Sequence, residues 1–183
     1  SAYAQKSGGT LVYLVQPEPP SMASYISTSG PIGLVAPKIY EGLFDYDNDG
    51  KIVHVLAESH SVSSDGKTVT FKLRKGIQWH DGKAFTSEDV SFTVMSVLKK
   101  FHPRGPNSFR EVTSIKTPDA HTAIFNLRNP APYMLRALSA YESPIVPKHL
   151  LEGTDIKSAK LGNNPIGTGP FKFVEWKKGQ YVR

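Results

Sequence analysis

The sequence has no cysteine in its 183 residues, which removes disulfide frameworks, thiolate zinc sites, iron–sulfur clusters and a thiol nucleophile from consideration. No apolar run approaches the ~18–20 residues that a membrane-crossing helix needs, so the chain is not expected to span a membrane. Lys and Arg number 22 against 16 Asp and Glu, yet no basic run exceeds two residues (Lys99-Lys100 and Lys177-Lys178). Acids are interleaved throughout. The concentrated positive footprint of a nucleic-acid binder is missing, and no nucleic-acid partner is expected. His-Glu-x-x-His, Gly-x-Ser-x-Gly and Gly-x-x-x-x-Gly-Lys-Ser/Thr are all absent. No internal repeat is visible.

What is present is the composition of a folded chain, 39% hydrophobic and 21% charged, of a length that suits one large domain or two small ones. The first residues, Ser1-Ala2-Tyr3-Ala4-Gln5, hold an Ala-x-Ala step like the end of a signal-peptidase site, a faint hint of export. Thr10-Leu11-Val12-Tyr13-Leu14-Val15 reads as a β-strand stopped by Pro17, Pro19 and Pro20. From Pro19 to Pro37 there is no charge, only a stretch rich in Ser, Thr, Gly and Pro. It reads as an irregular loop leading to a short helix near residues 34–40. Alternatively it is a wall of backbone N–H groups and hydroxyls, suited to a neutral ligand backbone.

Further on, Asp45-Tyr46-Asp47-Asn48-Asp49-Gly50 imitates the start of a calcium loop, but Leu56 stands where the bidentate glutamate belongs. Asn-Asp-Gly is better read as a hairpin turn. Residues 68–74 alternate strictly, with Val69, Phe71 and Leu73 facing a core. Another strand is expected through Ile77-Gln78-Trp79-His80. Thr86-Ser87-Glu88-Asp89 has the N-cap and the N3 acid of a capping box. The helix that follows carries Val90, Val94, Val97, Leu98 and Phe101 on one face, and Pro103 stops it. Residues 112–116 and 121–128 read as a hairpin, residues 131–140 and 147–152 as short helices, and residues 171–176 as a final alternating strand.

The six histidines show no metal-ligand spacing, so no metal site and no cofactor are expected. His80-Asp81 has the makings of a base with its orienting acid, although an Asp-Gly turn accounts for Asp81 without catalysis. Gly167-Thr168-Gly169 imitates a dinucleotide loop, but Lys172 replaces the third glycine and a strand pattern follows instead of a helix. No catalytic residue is assigned, and the chain is not expected to be an enzyme.

Three blocks carry a family resemblance. Tyr40-Glu41-Gly42-Leu43-Phe44, with Gly50-Lys51-Ile52 and Leu56-Ala57-Glu58-Ser59, is the first. The second and most specific runs from Ser64-Asp65-Gly66-Lys67 through Trp79-His80-Asp81-Gly82-Lys83 to Phe85-Thr86-Ser87-Glu88-Asp89-Val90. Asn164-Pro165-Ile166-Gly167-Thr168-Gly169-Pro170-Phe171-Lys172-Phe173-Val174-Glu175-Trp176 is the third. Together they resemble the extracellular solute-binding proteins of family 5, the peptide/nickel-type receptors of ABC importers, along nearly the whole chain.

The resemblance implies an α/β fold of the type II periplasmic-binding-protein kind, with α+β character in an inserted domain. It implies sheet-domain pieces at residues 1–39 and 165–183 and the inserted domain at residues 40–164. Family members are two-lobed and more than twice this long, so the chain is expected to be a fragment with its second lobe missing. The implied function is capture of di- or oligopeptides for delivery to the permease subunits of an ABC transporter. The alternative solutes are a nickel chelate, an oligosaccharide or an opine. By position relative to Tyr40-Glu41-Gly42-Leu43, the ligand-binding loop would be Ser27, Thr28, Ser29 and Gly30. A periplasmic location, with the signal peptide removed, and a monomeric state are implied as well. Lipoprotein members keep an N-terminal cysteine that this chain lacks.

Overall fold

The structure, a computed structural model, describes residues 9–183. The Ala-x-Ala step within the first five residues lies outside the described residues. A 3-10 turn at Ser24–Ile26 leads to helix α1 (Gly30–Val35) and a second 3-10 turn at Ala36–Lys38. The helix therefore starts earlier than residue 34, because Pro31 sits in its first turn, where a missing N–H costs nothing. Strands β1 (Phe44–Tyr46) and β2 (Ile52–His54) form a small antiparallel hairpin. Its turn is closed by the Asp47 carboxylate, which accepts the N–H groups of Asp49 and Lys51 at 2.9 Å, while Gly50 takes φ +74°. The calcium-like spacing is thus an Asx-type turn.

The main sheet has the order β3-β4-β6-β5, all antiparallel, built from β3 (Ala57–Val62), β4 (Thr68–Leu73), β5 (Val112–Asp119) and β6 (Thr122–Leu127). The strict alternation of β4 is realised. Val69, Phe71 and Leu73 are buried, and Phe71 meets Phe125 of β6 edge-on at 4.9 Å. Helix α2 (Ser87–Phe92) packs against β5 and β6. Its N-terminus is fixed by the Asp89 carboxylate, which accepts the Thr86 N–H at 2.9 Å. The same carboxylate accepts the Lys148 N–H at 2.9 Å and so also fixes the start of a later helix.

After Phe92 the helix widens into a π-helical stretch, Thr93–Leu98, before closing as α3 (Lys99–Phe101). Val90, Val94, Val97 and Leu98 are buried as the spacing predicts. The slip to wider hydrogen bonding accompanies a contact from outside the helix. The Thr93 hydroxyl donates to the Val146 carbonyl at 3.2 Å and accepts the Val146 N–H at 3.1 Å. His102 turns extended at ψ 135°, the conformation Pro103 imposes on its predecessor.

Five expectations shrink. Gln78 makes only an isolated bridge to Ala84 in place of a strand. After the one-turn α4 (Gly105–Ser108), the helices at 131–140 and 147–152 reduce to α5 (Pro132–Arg136) and α6 (Lys148–Leu151). At the ends of the chain, Thr10 to Val15 form no strand, and of the expected 171–176 strand only Trp176 belongs to one, β7 (Trp176–Lys177), which pairs with β8 (Tyr181–Val182). Val174 and Glu175 donate their N–H groups to the Arg183 carbonyl at 2.7 and 3.1 Å, whereas among the described residues no strand lies beside Thr10 to Val15. Leu11, Val12 and Leu14 are 89%, 88% and 79% exposed, and Phe171 and Val174 are each 61% exposed. Among the described residues no helix is long and apolar enough to cross a membrane.

Candidate ligand loop and its surroundings

The four loop residues lie between the Ser24–Ile26 turn and α1. Ser27, Thr28 and Ser29 are half-buried and Gly30 is exposed. Ser27 is extended at φ −146°, ψ 143°, and Ser29 sits at φ −59°, ψ 128°. The loop is braced at both ends. Ser27 donates its N–H to the Ser24 carbonyl at 3.5 Å, Ser29 donates to the Ser27 hydroxyl at 3.2 Å, and the Ser29 carbonyl accepts the Gly33 N–H at 3.0 Å. Between these anchors, neither the N–H nor the C=O of Thr28 has a hydrogen-bond partner among the described residues. A residue held between two braced neighbours, with both main-chain groups free, can take one strand-like pair of hydrogen bonds from a ligand.

Just before the loop, Tyr25 is fully buried and meets Tyr40 edge-on at 6.3 Å. Burial pushes both phenols well above their ordinary range, and the neighbouring Tyr25 adds to the shift of Tyr40. They stay neutral at any physiological pH. No charged side chain belongs to the loop itself, in keeping with the uncharged stretch from Pro19 to Pro37. Hollows on the surface lie elsewhere: one of about 410 Å³ beside Leu150, Thr154 and Asn164, another of about 460 Å³ beside Lys83, Glu88 and His149.

His80 and Asp81, the pair with a catalytic look in the sequence, part company. The His80 ring accepts the Gly167 N–H on Nδ1 at 3.3 Å and so carries its proton on Nε2, which donates to the Gly169 carbonyl at 2.8 Å. Its main-chain N–H donates to the Gly167 carbonyl at 2.9 Å. Both ring nitrogens are consumed in holding a backbone. Asp81 instead meets His149 Nε2 at 2.7 Å. Partial burial would raise its pKa, but the His149 contact and the Lys83 N–H outweigh that and hold it below the ordinary value.

The glycines of Gly167-Thr168-Gly169 owe their place to close packing. A Cβ on Gly167 would overlap the Ile39 carbonyl oxygen, and Gly169 donates its N–H to that same oxygen at 2.8 Å. Glu41, next to this seam, has its pKa raised by burial, partly offset by the Thr168 hydroxyl and His80. The dinucleotide-like spacing is therefore a backbone-on-backbone contact. Among the described residues, no three His, Asp or Glu side chains converge as a metal-ligand set.

The model of the family described as bacterial extracellular solute-binding proteins, family 5 (middle), matches residues 51–183. The chain belongs to that family. The glutathione-binding protein GsiB of Pectobacterium atrosepticum is 31% identical over 155 residues, 81% of this chain and 29% of that protein. The oligopeptide-binding protein AppA of Bacillus subtilis is 33% identical over 192 aligned positions, covering 100% of this chain and 34% of its own. The structure of AppA with a nonapeptide superposes with a TM-score of 0.79 at 30% identity, over 90% of this chain and 34% of that one. NikZ of Campylobacter jejuni, solved with Ni(L-His), gives 0.78 at 30% identity, over 92% and 33%.

The fold is thus that of the periplasmic binding proteins, as the sequence blocks imply, and the chain spans about a third of the length of these relatives. The relatives are binding proteins, which agrees with the structural employment of His80 and Asp81. In the sequence the loop is placed only by its position relative to Tyr40-Glu41-Gly42-Leu43, inside an uncharged stretch. The free main chain of Thr28 and the His80 clip carried no sequence signal, because each depends on where the chain runs in space.

Proposed function

We propose that this chain forms part of the first lobe of a receptor that captures peptides outside the cytoplasm and hands them to the permease subunits of an ABC importer. In this reading residues 40–164 are a module inserted into a sheet domain made partly of residues 1–39 and 165–183. Two contacts support pairing the outer pieces: Phe171 donates its N–H to the Lys38 carbonyl at 3.1 Å, and Glu18 accepts the Trp176 indole N–H at 2.8 Å.

Ser27, Thr28, Ser29 and Gly30 line the solute cleft, and Thr28 pairs with the main chain of an extended peptide. The observation that carries this is the unpaired backbone of the half-buried Thr28 in an uncharged loop. Main-chain pairing is indifferent to side chains, which suits a receptor for varied peptides. The receptor acts as a monomer.

The test is a Thr28→Pro substitution in the full-length protein that contains this chain. Proline removes the N–H, and the extended Ser27 before it already has the backbone that proline demands. Peptide affinity measured by calorimetry should fall about tenfold, the worth of one main-chain hydrogen bond. An unchanged affinity refutes the assignment. A nickel chelate, the second reading, is favoured by the similarity to NikZ. Thermal shifts of the full-length protein with peptides and with nickel–histidine separate the two, since a ligand of the native state raises the melting temperature.

A further inference from the structure

Far from the loop in sequence terms, two histidines meet. His54 ends β2 and His60 lies in β3, and His54 Nε2 faces His60 Nδ1 at 3.1 Å. The two residues that begin their link are pinned by the backbone: Val55 and Leu56 donate their N–H groups to the carbonyls of Leu43 and Gly42 at 3.0 and 3.3 Å. The Arg74 guanidinium holds the same corner, donating to the carbonyls of Val55 and His54 at 2.7 and 3.3 Å. Aromatic neighbours flank the rings. Phe44 lies 5.0 Å from each imidazole, edge-on to His54, and His60 stacks on Phe71 at 6.2 Å and 23°. Both histidines are half-buried, so one side of the pair is in water.

We propose that His54 and His60 form a two-imidazole chelate for a borderline divalent transition-metal ion, with zinc as the representative. At a zinc–nitrogen distance of about 2.05 Å, nitrogens 3.1 Å apart subtend about 100° at the ion. That is close to the tetrahedral angle; the ring centroids lie 5.3 Å apart, so the imidazoles face each other nearly head-on and each turns by a few tens of degrees to bring its lone pair onto the ion. Water completes the coordination from the open side. The ring that donates the hydrogen bond moves its proton to its other nitrogen and offers a lone pair in exchange, so the neutral pair releases no net proton on binding. Two imidazoles without a carboxylate select zinc or copper over magnesium and calcium, with copper the tighter. The positive Arg74 beside the pair keeps the affinity moderate.

Titration of the 183-residue chain with Zn²⁺ at neutral pH, followed by calorimetry, should show saturable binding of one equivalent. His54→Gln and His60→Gln should each weaken it at least tenfold, and His149→Gln should leave it unchanged. A second measurement needs no variant: ring-nitrogen NMR of the unsubstituted chain should move the His54 Nε2 and His60 Nδ1 resonances toward metal-bound values. Absence of saturable binding, binding that survives both glutamine variants, or shifts confined to other histidines would overturn the proposal.

Discussion

Residues 10–15 and strand β4 are alike in composition and opposite in fate. Both are short, rich in β-branched and aromatic residues, and bounded by turn formers. β4 lies between β3 and β6, and its apolar side chains vanish into the core. Thr10 to Val15 have no strand beside them among the described residues, and their leucines stand in water. A strand pattern states what a segment can pair with; the partner decides whether it becomes a strand. The stability of the molecule should therefore be concentrated in the middle of the chain and thin at its ends.

Hydrogen exchange offers the largest contrast. Amides of β4 and β6 exchange only when the sheet opens, while those of Thr10 to Val15 have no such barrier. The ratio of protection factors should be about a thousandfold or more. Comparable protection in the two regions would break the comparison. A smaller effect probes the seam that holds residues 165–170 to the middle. Gly167→Ala puts a methyl group into the Ile39 carbonyl, and the two backbones must part. A loss of about 3 kcal/mol in thermal or urea unfolding is expected. An unchanged stability would mean that the seam is not part of the cooperative unit.

The third effect belongs to the buried middle alone. His102 is almost fully buried, its Nδ1 accepts the Arg104 N–H at 3.3 Å, and burial, helped by the Arg104 charge, lowers its pKa to about 4. The folded state thus holds the neutral ring, while the unfolded chain takes up a proton near pH 6.5. Its contribution is complete above pH 6.5 and is lost as pH falls toward about 4, at most about 3 kcal/mol. Urea midpoints measured across that window should fall, and His102→Gln should flatten the slope.

Legibility in the sequence followed the range of the interactions. The alternation of β4, the Asp89 cap and the Asp47 turn are settled within a few residues, and they could be read directly. The family blocks disclosed the fold because they span the chain. The π-helical stretch could not be read, since it accompanies the grip of Thr93 on Val146, fifty-three positions away. His80 looked catalytic for the same reason, because its partners lie eighty-seven and eighty-nine positions downstream. The Ser27–Ser29 loop is intermediate. Its neutrality was visible, while the unpaired backbone of Thr28 required the path of the chain on both sides.

The bond from Gly169 to the Ile39 carbonyl also has a topological meaning. The chain leaves at Ile39, winds through the main sheet and its helices, and returns to the same atom. Everything between is a loop tied at its neck, and the His80 ring tightens the knot from inside. Its entry and its exit are thereby brought to one point, while the Met22 N–H donating to the Gly162 carbonyl at 2.7 Å and the Tyr25–Tyr40 contact pack the outer chain against what the neck encloses.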